Sequence, residues 1–186
     1  MWLNLELIGT ITGIICVWLT VKQSIWNWPI GLINIVCLGW VFYNAHLYPD
    51  VVLHTIFFIL SIYGWIHWSK RNDEPDLPVT ILTIPDRVLW GISIIGVSLL
   101  VGHWFKANTS ASFPYVDSLT TTMSVAAQYL LTRKKLENWI LWIAGDVIMI
   151  GMYAIKGLTF IPFLYIVYLG LATAGFISWN RQKQLA

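Results

Sequence analysis

The sequence predicts an all-α integral membrane protein, with seven transmembrane helices forming two parallel three-helix repeats around a linker helix. Three observations carry this. The 186-residue chain is 58% hydrophobic and 11% charged, where a soluble domain is about 25% charged, and its mean hydropathy is +0.69. Its apolar residues fall into seven runs of bilayer-crossing length. Its basic residues gather on one side of those runs.

A transmembrane helix needs about 20 mostly apolar residues, within a range of roughly 17 to 25. Seven segments are candidates: residues 5–21, 29–43, 51–68, 88–105, 116–131, 139–155 and 160–179, the second of them short. Pro29 suits the first turn of the second, where its missing N–H costs no hydrogen bond. The fifth is the least hydrophobic. Between the third and fourth lies SKRNDEPDLP, with Pro75 and Pro78, the longest loop and the expected hinge between halves. KANTSASFP follows the fourth. The chain is one membrane domain, divided into a first repeat (1–69), a loop and linker helix (70–115) and a second repeat (116–186). The start, Met1 to Glu6, lacks the positive region of a cleavable signal, so the first apolar run is expected to remain as a span.

The loops test the count. Odd-numbered loops and the C-terminal tail hold Lys22, Lys70, Arg71, Arg87, Arg133, Lys134, Lys135, Arg181 and Lys183; the other side holds only Lys106 and Lys156. Cytoplasmic loops are the Lys- and Arg-rich ones, so the N-terminus is expected outside and the C-terminus in the cytoplasm of a bacterial cell. Most of the 12 tryptophans lie near expected helix ends (Trp2, Trp26, Trp28, Trp65, Trp68, Trp104, Trp139 and Trp179), as an interfacial belt would place them. Trp40 and Trp142 sit deeper and are better placed to meet a solute. Cys16 and Cys37 lie in apolar runs and read as small hydrophobes. No Cys/His ligand spacing calls for a metal, and no cofactor is implied. The net charge of +2 gives no argument for nucleic acid.

KQSIWNW from Lys22 resembles RKKLENW from Arg133. The same offset carries Asn27 onto Asn138, Trp28 onto Trp139, Gly64 onto Gly175 and Trp68 onto Trp179. Two three-helix units joined by one linker helix are parallel repeats, the SWEET-like architecture, which places a solute near the bilayer midplane between the halves.

Ionisable groups inside a span are candidate functional groups. Asp146 is the only acidic residue deep within a run, about 10 Å from the cytoplasmic end at 1.5 Å per residue. It reads either as an acceptor for solute hydroxyls or a cationic ring, or as a structural partner between helices. Asn34 lies at similar depth and both donates and accepts; Gln128 is comparable. Asp50 and His54 share one helix face four residues apart. They pair with each other, line the outer part of a solute path, or relay protons. Trp40, Phe58, Trp142, Tyr153, Tyr165 and Tyr168 offer ring faces on which a flat heteroaromatic solute would stack, or else they pack. Arg133–Lys135 orient the chain or attract anionic lipid headgroups. The absence of a Ser/His/Asp order, a Walker loop or a dinucleotide fingerprint leaves a membrane-embedded enzyme the weaker reading. The oligomeric state is open, a homo-oligomer included.

At WNWPIGLIN (Trp26 to Asn34), YPDVVLH (Tyr48 to His54), SIYGWIHW (Ser61 to Trp68) and NWILWIAGDV (Asn138 to Val147) the chain resembles the PnuC-type nicotinamide riboside transporters. The resemblance covers nearly the whole chain. It implies a 3+1+3 bundle in the cytoplasmic membrane and facilitated diffusion of a vitamin-like nucleoside. A separate cytoplasmic kinase would trap the solute by phosphorylation, in salvage towards NAD. Relatives carry thiamine or riboflavin. It further implies that Trp28, Asn34, Asn138, Trp139, Trp142 and Asp146 shape the central site or the cytoplasmic gate. Where many members read YADxxLQ this chain reads YPDVVLH, so His54 stands in place of Gln at a position expected to read the solute's polar edge.

Overall fold

In the computed structural model, the backbone is described for residues 2–69, 77–109, 112–155 and 160–185. Lys70, Arg71, Pro75 and Lys156, which entered the reading of loops and charges, lie outside these residues.

The described residues form seven helices: α1 (Trp2–Val21), α2 (Asn27–Asn44), α3 (Tyr48–Ser69), α4 (Ile84–Asn108), α5 (Pro114–Thr132), α6 (Glu137–Ile155) and α7 (Phe160–Leu185). All seven expected spans are helical, and most run longer than their apolar cores. Thr83 explains one extension: its side chain accepts from the Asp86 N–H and, with Pro85 in the first turn, starts α4 at Ile84, four residues before the expected start at Val88. α3, α4, α6 and α7 are long and apolar enough to cross a membrane.

Three reversals share one device. Gln23, His46 and Lys134 adopt positive φ of 54°, 58° and 48°. In each, the residue's own N–H and that of the residue after it reach back to the last-turn carbonyls of the preceding helix, closing it with a Schellman motif. After α1, Gln23 N–H bonds Thr20 O and Ser24 N–H bonds Leu19 O. After α5, Lys134 N–H bonds Leu131 O and Lys135 N–H bonds Leu130 O. Asn27 and Trp28 then start α2 on Ser24 O and Ile25 O, as Asn138 and Trp139 start α6 on Lys135 O and Leu136 O. These are the same bonds, 111 residues apart.

Helix contacts close a ring in the order α1, α2, α3, α5, α6, α7 and back to α1, and α4 packs against α5 outside it. α5 is thus flanked by α3, α4 and α6. That accounts for its low hydrophobicity, because Ser118, Thr120, Ala126, Ala127 and Thr132 of α5 are buried by protein rather than lipid. The outer surface carries large apolar side chains such as Ile84, Leu89, Ile92 and Leu100, more than a water-soluble monomer exposes.

Lys22, Arg87, Arg133, Lys134, Lys135, Arg181 and Lys183 all lie at the end where α1, α3, α5 and α7 finish, and Lys106 lies at the other. The described part of the long loop is not a free hinge. Thr80 forms a parallel bridge with Lys135, and its N–H and C=O bond Lys134 O and Leu136 N at 3.1 and 2.9 Å. Val79 and Leu82 are buried. Glu137 Oε1 accepts from Leu82 N at 3.0 Å and from Arg87 Nε at 3.0 Å, with Arg87 Nη2 at 2.9 Å. Apolar residues just after the polar stretch therefore anchor the loop to the α5–α6 corner.

Candidate functional site

Two zones lie inside the ring. The first closes its basic end. Trp28, Trp139 and Trp179 are buried at 2%, 1% and 0% exposure, and Trp68 packs on them. Their end positions suggested an interfacial belt, but the ring turns them inward; Trp26, Trp65 and Trp104 do face outward. Trp28 meets Trp68 edge-on at 5.1 Å and 87°, and Trp139 meets Trp179 at 5.4 Å and 90°. Trp68 Nε1 donates to Thr132 O and Trp179 Nε1 to Thr20 O, both at 3.2 Å. Each inner indole lies on a glycine: a Cβ at Gly64 would collide with Trp28, and one at Gly175 would sit 2.5 Å from Trp139. Asn138 is fully buried beside this group, its Nδ2 donating to Lys135 O at 2.6 Å. Lys134 projects inward. Its Nζ donates to Gln23 Oε1 at 3.0 Å and lies 4.5 Å from the centre of the Trp68 ring. The Gln23 amide in turn donates to Gln182 Oε1.

The second zone lies beyond it, between the halves. Asp146 is 7% exposed, and among the described residues no donor or cation meets its carboxylate. Tyr165 and Tyr168 of α7 lie within its electrostatic reach. Tyr153, two turns along the same α6 face, stacks on Tyr165 at 5.7 Å and 28°. Opposite, α1 makes room with glycine. A Cβ at Gly13 would sit 2.5 Å from the Tyr168 hydroxyl and 3.1 Å from Asn34 Nδ2. Asn34 Nδ2 donates to Gly9 O at 2.5 Å, which uses one of its two N–H donors.

From α3, His54 Nδ1 lies 2.8 Å from the backbone oxygen of Asp50. A carbonyl only accepts, so Nδ1 carries the proton and Nε2 is the acceptor. His54 thus bonds the Asp50 main chain rather than its carboxylate. It also meets Phe42 at 4.9 Å and Phe57 at 6.1 Å. Trp142 meets Phe57 at 6.4 Å. Gln128 Nε2 donates to Ser61 Oγ at 3.2 Å across the α3–α5 seam, a structural use of one of its donors.

Two expected site residues fall elsewhere. Trp40 is 55% exposed, stacked on Tyr43 on the outer side of α2, and Phe58 is 38% exposed. Both side chains face away from the interior of the ring. On α3 the inward residues are His54, Phe57, Ser61, Gly64 and Trp68, alternating steps of three and four along one stripe. On α2 they are Trp28, Gly31, Ile35 and Phe42. Extending the stripe from Ser61, Gly64 and Trp68 would have chosen Phe57, which the sequence reading missed.

A carboxylate, phenols, an imidazole acceptor, an amide oxygen and ring faces can bind a cationic, hydroxyl-bearing, flat solute. Among the described residues no cluster of His, Cys, Asp or Glu suits a metal.

The chain matches, over residues 3–181, the family described as nicotinamide mononucleotide transporters. It is 29% identical to the nicotinamide riboside transporter PnuC of Escherichia coli K12, with 94% of this chain and 84% of that one aligned. The PnuC of Neisseria mucosa is 27% identical, with 94% and 71% aligned. The riboflavin/roseoflavin transporter RibM of Streptomyces davaonensis is 26% identical, with 94% and 83% aligned. The fold is similar to a crystal structure of the vitamin B3 transporter PnuC, with a TM-score of 0.78 and 23% identity, covering 97% of this chain and 82% of that one.

Proposed function

The chain belongs to the nicotinamide mononucleotide transporter family, and from that premise we propose that it imports nicotinamide riboside by facilitated diffusion. It is a multi-pass transporter of the cytoplasmic membrane. The observation that carries the substrate is Asp146, a buried carboxylate with no donor or cation among the described residues. A buried charge needs a partner, and a pyridinium ribonucleoside brings both a cation and hydroxyl donors. Tyr153, Tyr165 and Tyr168 supply ring faces beside it. Asn34 and Gln128 take part through the hydrogen-bonding capacity their helix contacts leave. His54 Nε2 offers the acceptor that a Gln carbonyl offers in the family pattern, so this departure keeps the chemistry. Phosphorylation by a cytoplasmic kinase traps the solute and feeds NAD salvage.

The transport cycle rests on two parallel SWEET-like repeats, 1–69 and 116–186, rocking about the central site. The bonds and Trp–Gly contacts recurring 111 residues apart support this division. The gathering of basic residues at one end supports an outside N-terminus and a cytoplasmic C-terminus. Trp28, Asn138 and Trp139 belong to the cytoplasmic gate. The second reading is a riboflavin carrier, favoured by RibM at an identity close to that of the riboside transporters. Direct binding to the purified protein decides between them. Selective micromolar binding of nicotinamide riboside, lost in Asp146→Asn, supports the first reading. Binding of neutral riboflavin, unaffected by that substitution, replaces it with the second.

A further inference from the structure

The three consecutive cations Arg133, Lys134 and Lys135 have three different surroundings. Lys134 points into the ring, onto Gln23 and Trp68. Arg133 turns outward, its guanidinium 5.5 Å from the Tyr63 ring centre, and Lys135 borders a cleft where α4 begins and α5 ends. That cleft has a volume of about 400 Å³ and is lined by Leu82, Trp90, Tyr129, Leu130, Arg133 and Lys135. Trp90 and Tyr129 lie 5.6 Å apart along it. The nearby Arg87 is neutralised by Glu137. Among the described residues, no carboxylate pairs with Arg133 or Lys135.

We propose that this cleft binds the headgroup of an anionic phospholipid, with the phosphate between Arg133 and Lys135 and the glycerol and upper acyl chains against Trp90, Tyr129, Leu82 and Leu130. The chemistry is amphipathic: two cations just past the end of α5, Leu130 and Tyr129 in its last turn, and Trp90 further along α4, with indole and phenol rings of the kind that sit at headgroup level. Free phosphate would use the cations and leave the apolar floor in water. A lipid covers both, and each cation near an anionic headgroup contributes measurably. The site is independent of the translocated solute and of which end faces the cytoplasm.

The test titrates short-chain phosphatidylglycerol, phosphatidylcholine and inorganic phosphate separately into the delipidated full chain in neutral detergent. Thermal shift and native mass spectrometry provide the readouts. One saturable phosphatidylglycerol is expected per chain, weakened roughly fivefold by Lys135→Gln and roughly 30-fold by Arg133→Gln with Lys135→Gln. Lys183→Gln, equally basic but outside the cleft, should change nothing. Should the double variant not fold, Lys135→Gln alone carries the comparison. Equal weakening by Lys183→Gln would mean diffuse charge attraction and overturn the site. So would a response to phosphate alone, equal binding of phosphatidylcholine, or a double variant that binds unchanged while the particle mass falls, which would make the cleft an interface between copies.

Discussion

The two three-helix units share a mechanical part and differ in their chemistry. Their turns carry the same hydrogen bonds, and their inner tryptophans rest on matching glycines and stand edge-on to matching outer tryptophans. Further along the ring the correspondence ends. Where the second unit has Trp142, Asp146, Tyr165 and Tyr168, the equivalent positions of the first hold Gly31, Ile35, His54 and Phe57. The tryptophan closure is built twice, and the proposed solute site would lie once, between two dissimilar walls. Closing a channel is a geometric task that both halves share. Holding an asymmetric solute requires a charge on one side and space on the other.

The comparison breaks most visibly at Asp146. Asp146→Asn should weaken nicotinamide riboside binding roughly tenfold to hundredfold, from loss of a charge-assisted contact of about 1.5–3 kcal/mol. Calorimetric titration reads this directly, and unchanged affinity would remove the carboxylate from the site. The shared closure is sharpened by Gly64→Ala and Gly175→Ala. Each drives a methyl into an indole and should destabilise by about 1–3 kcal/mol. Near-equal falls in Tm in detergent are expected, and a fall in only one would separate the two closures. The smallest effect concerns direction along α3. Phe57→Ala should lower solute affinity a few-fold, since ring contacts are worth about 0.5–1.5 kcal/mol. Phe58→Ala should leave affinity alone, and the reverse order would reassign the inward stripe.

Helix number and the crowding of basic residues at one end were legible because bilayer thickness and membrane charge act on every residue of a span. The matching turns and Trp–Gly contacts were legible through Asn27, Trp28, Gly64 and Trp68, whose spacing recurs at a constant offset. Facing was harder to read. Trp28, Trp68, Trp139 and Trp179 lie near helix ends like the outward Trp26 and Trp104, and only the ring contacts distinguish the two sets. Trp40 was chosen for depth, a property that says nothing about azimuth in a helix apolar on both sides. Asn34 and Gln128 lay in the interior as expected, yet both spend donors on neighbouring helices, and a sequence without contacts cannot apportion them. The anchoring of residues 77–83 had a trace in Val79 and Leu82, obscured by the charges before them.

One further point follows from where α4 sits. It packs against α5, and Arg87 at its start is clasped by Glu137 at the start of α6. By covalent order α4 is a connector between equals, yet its contacts bind it to one side. Mechanically the molecule is a body of three helices facing a body of four. Among the described residues only the α3–α5 and α1–α7 helix seams divide them, so those two seams are where sliding friction would be concentrated, and the heavier body would move with the linker as ballast.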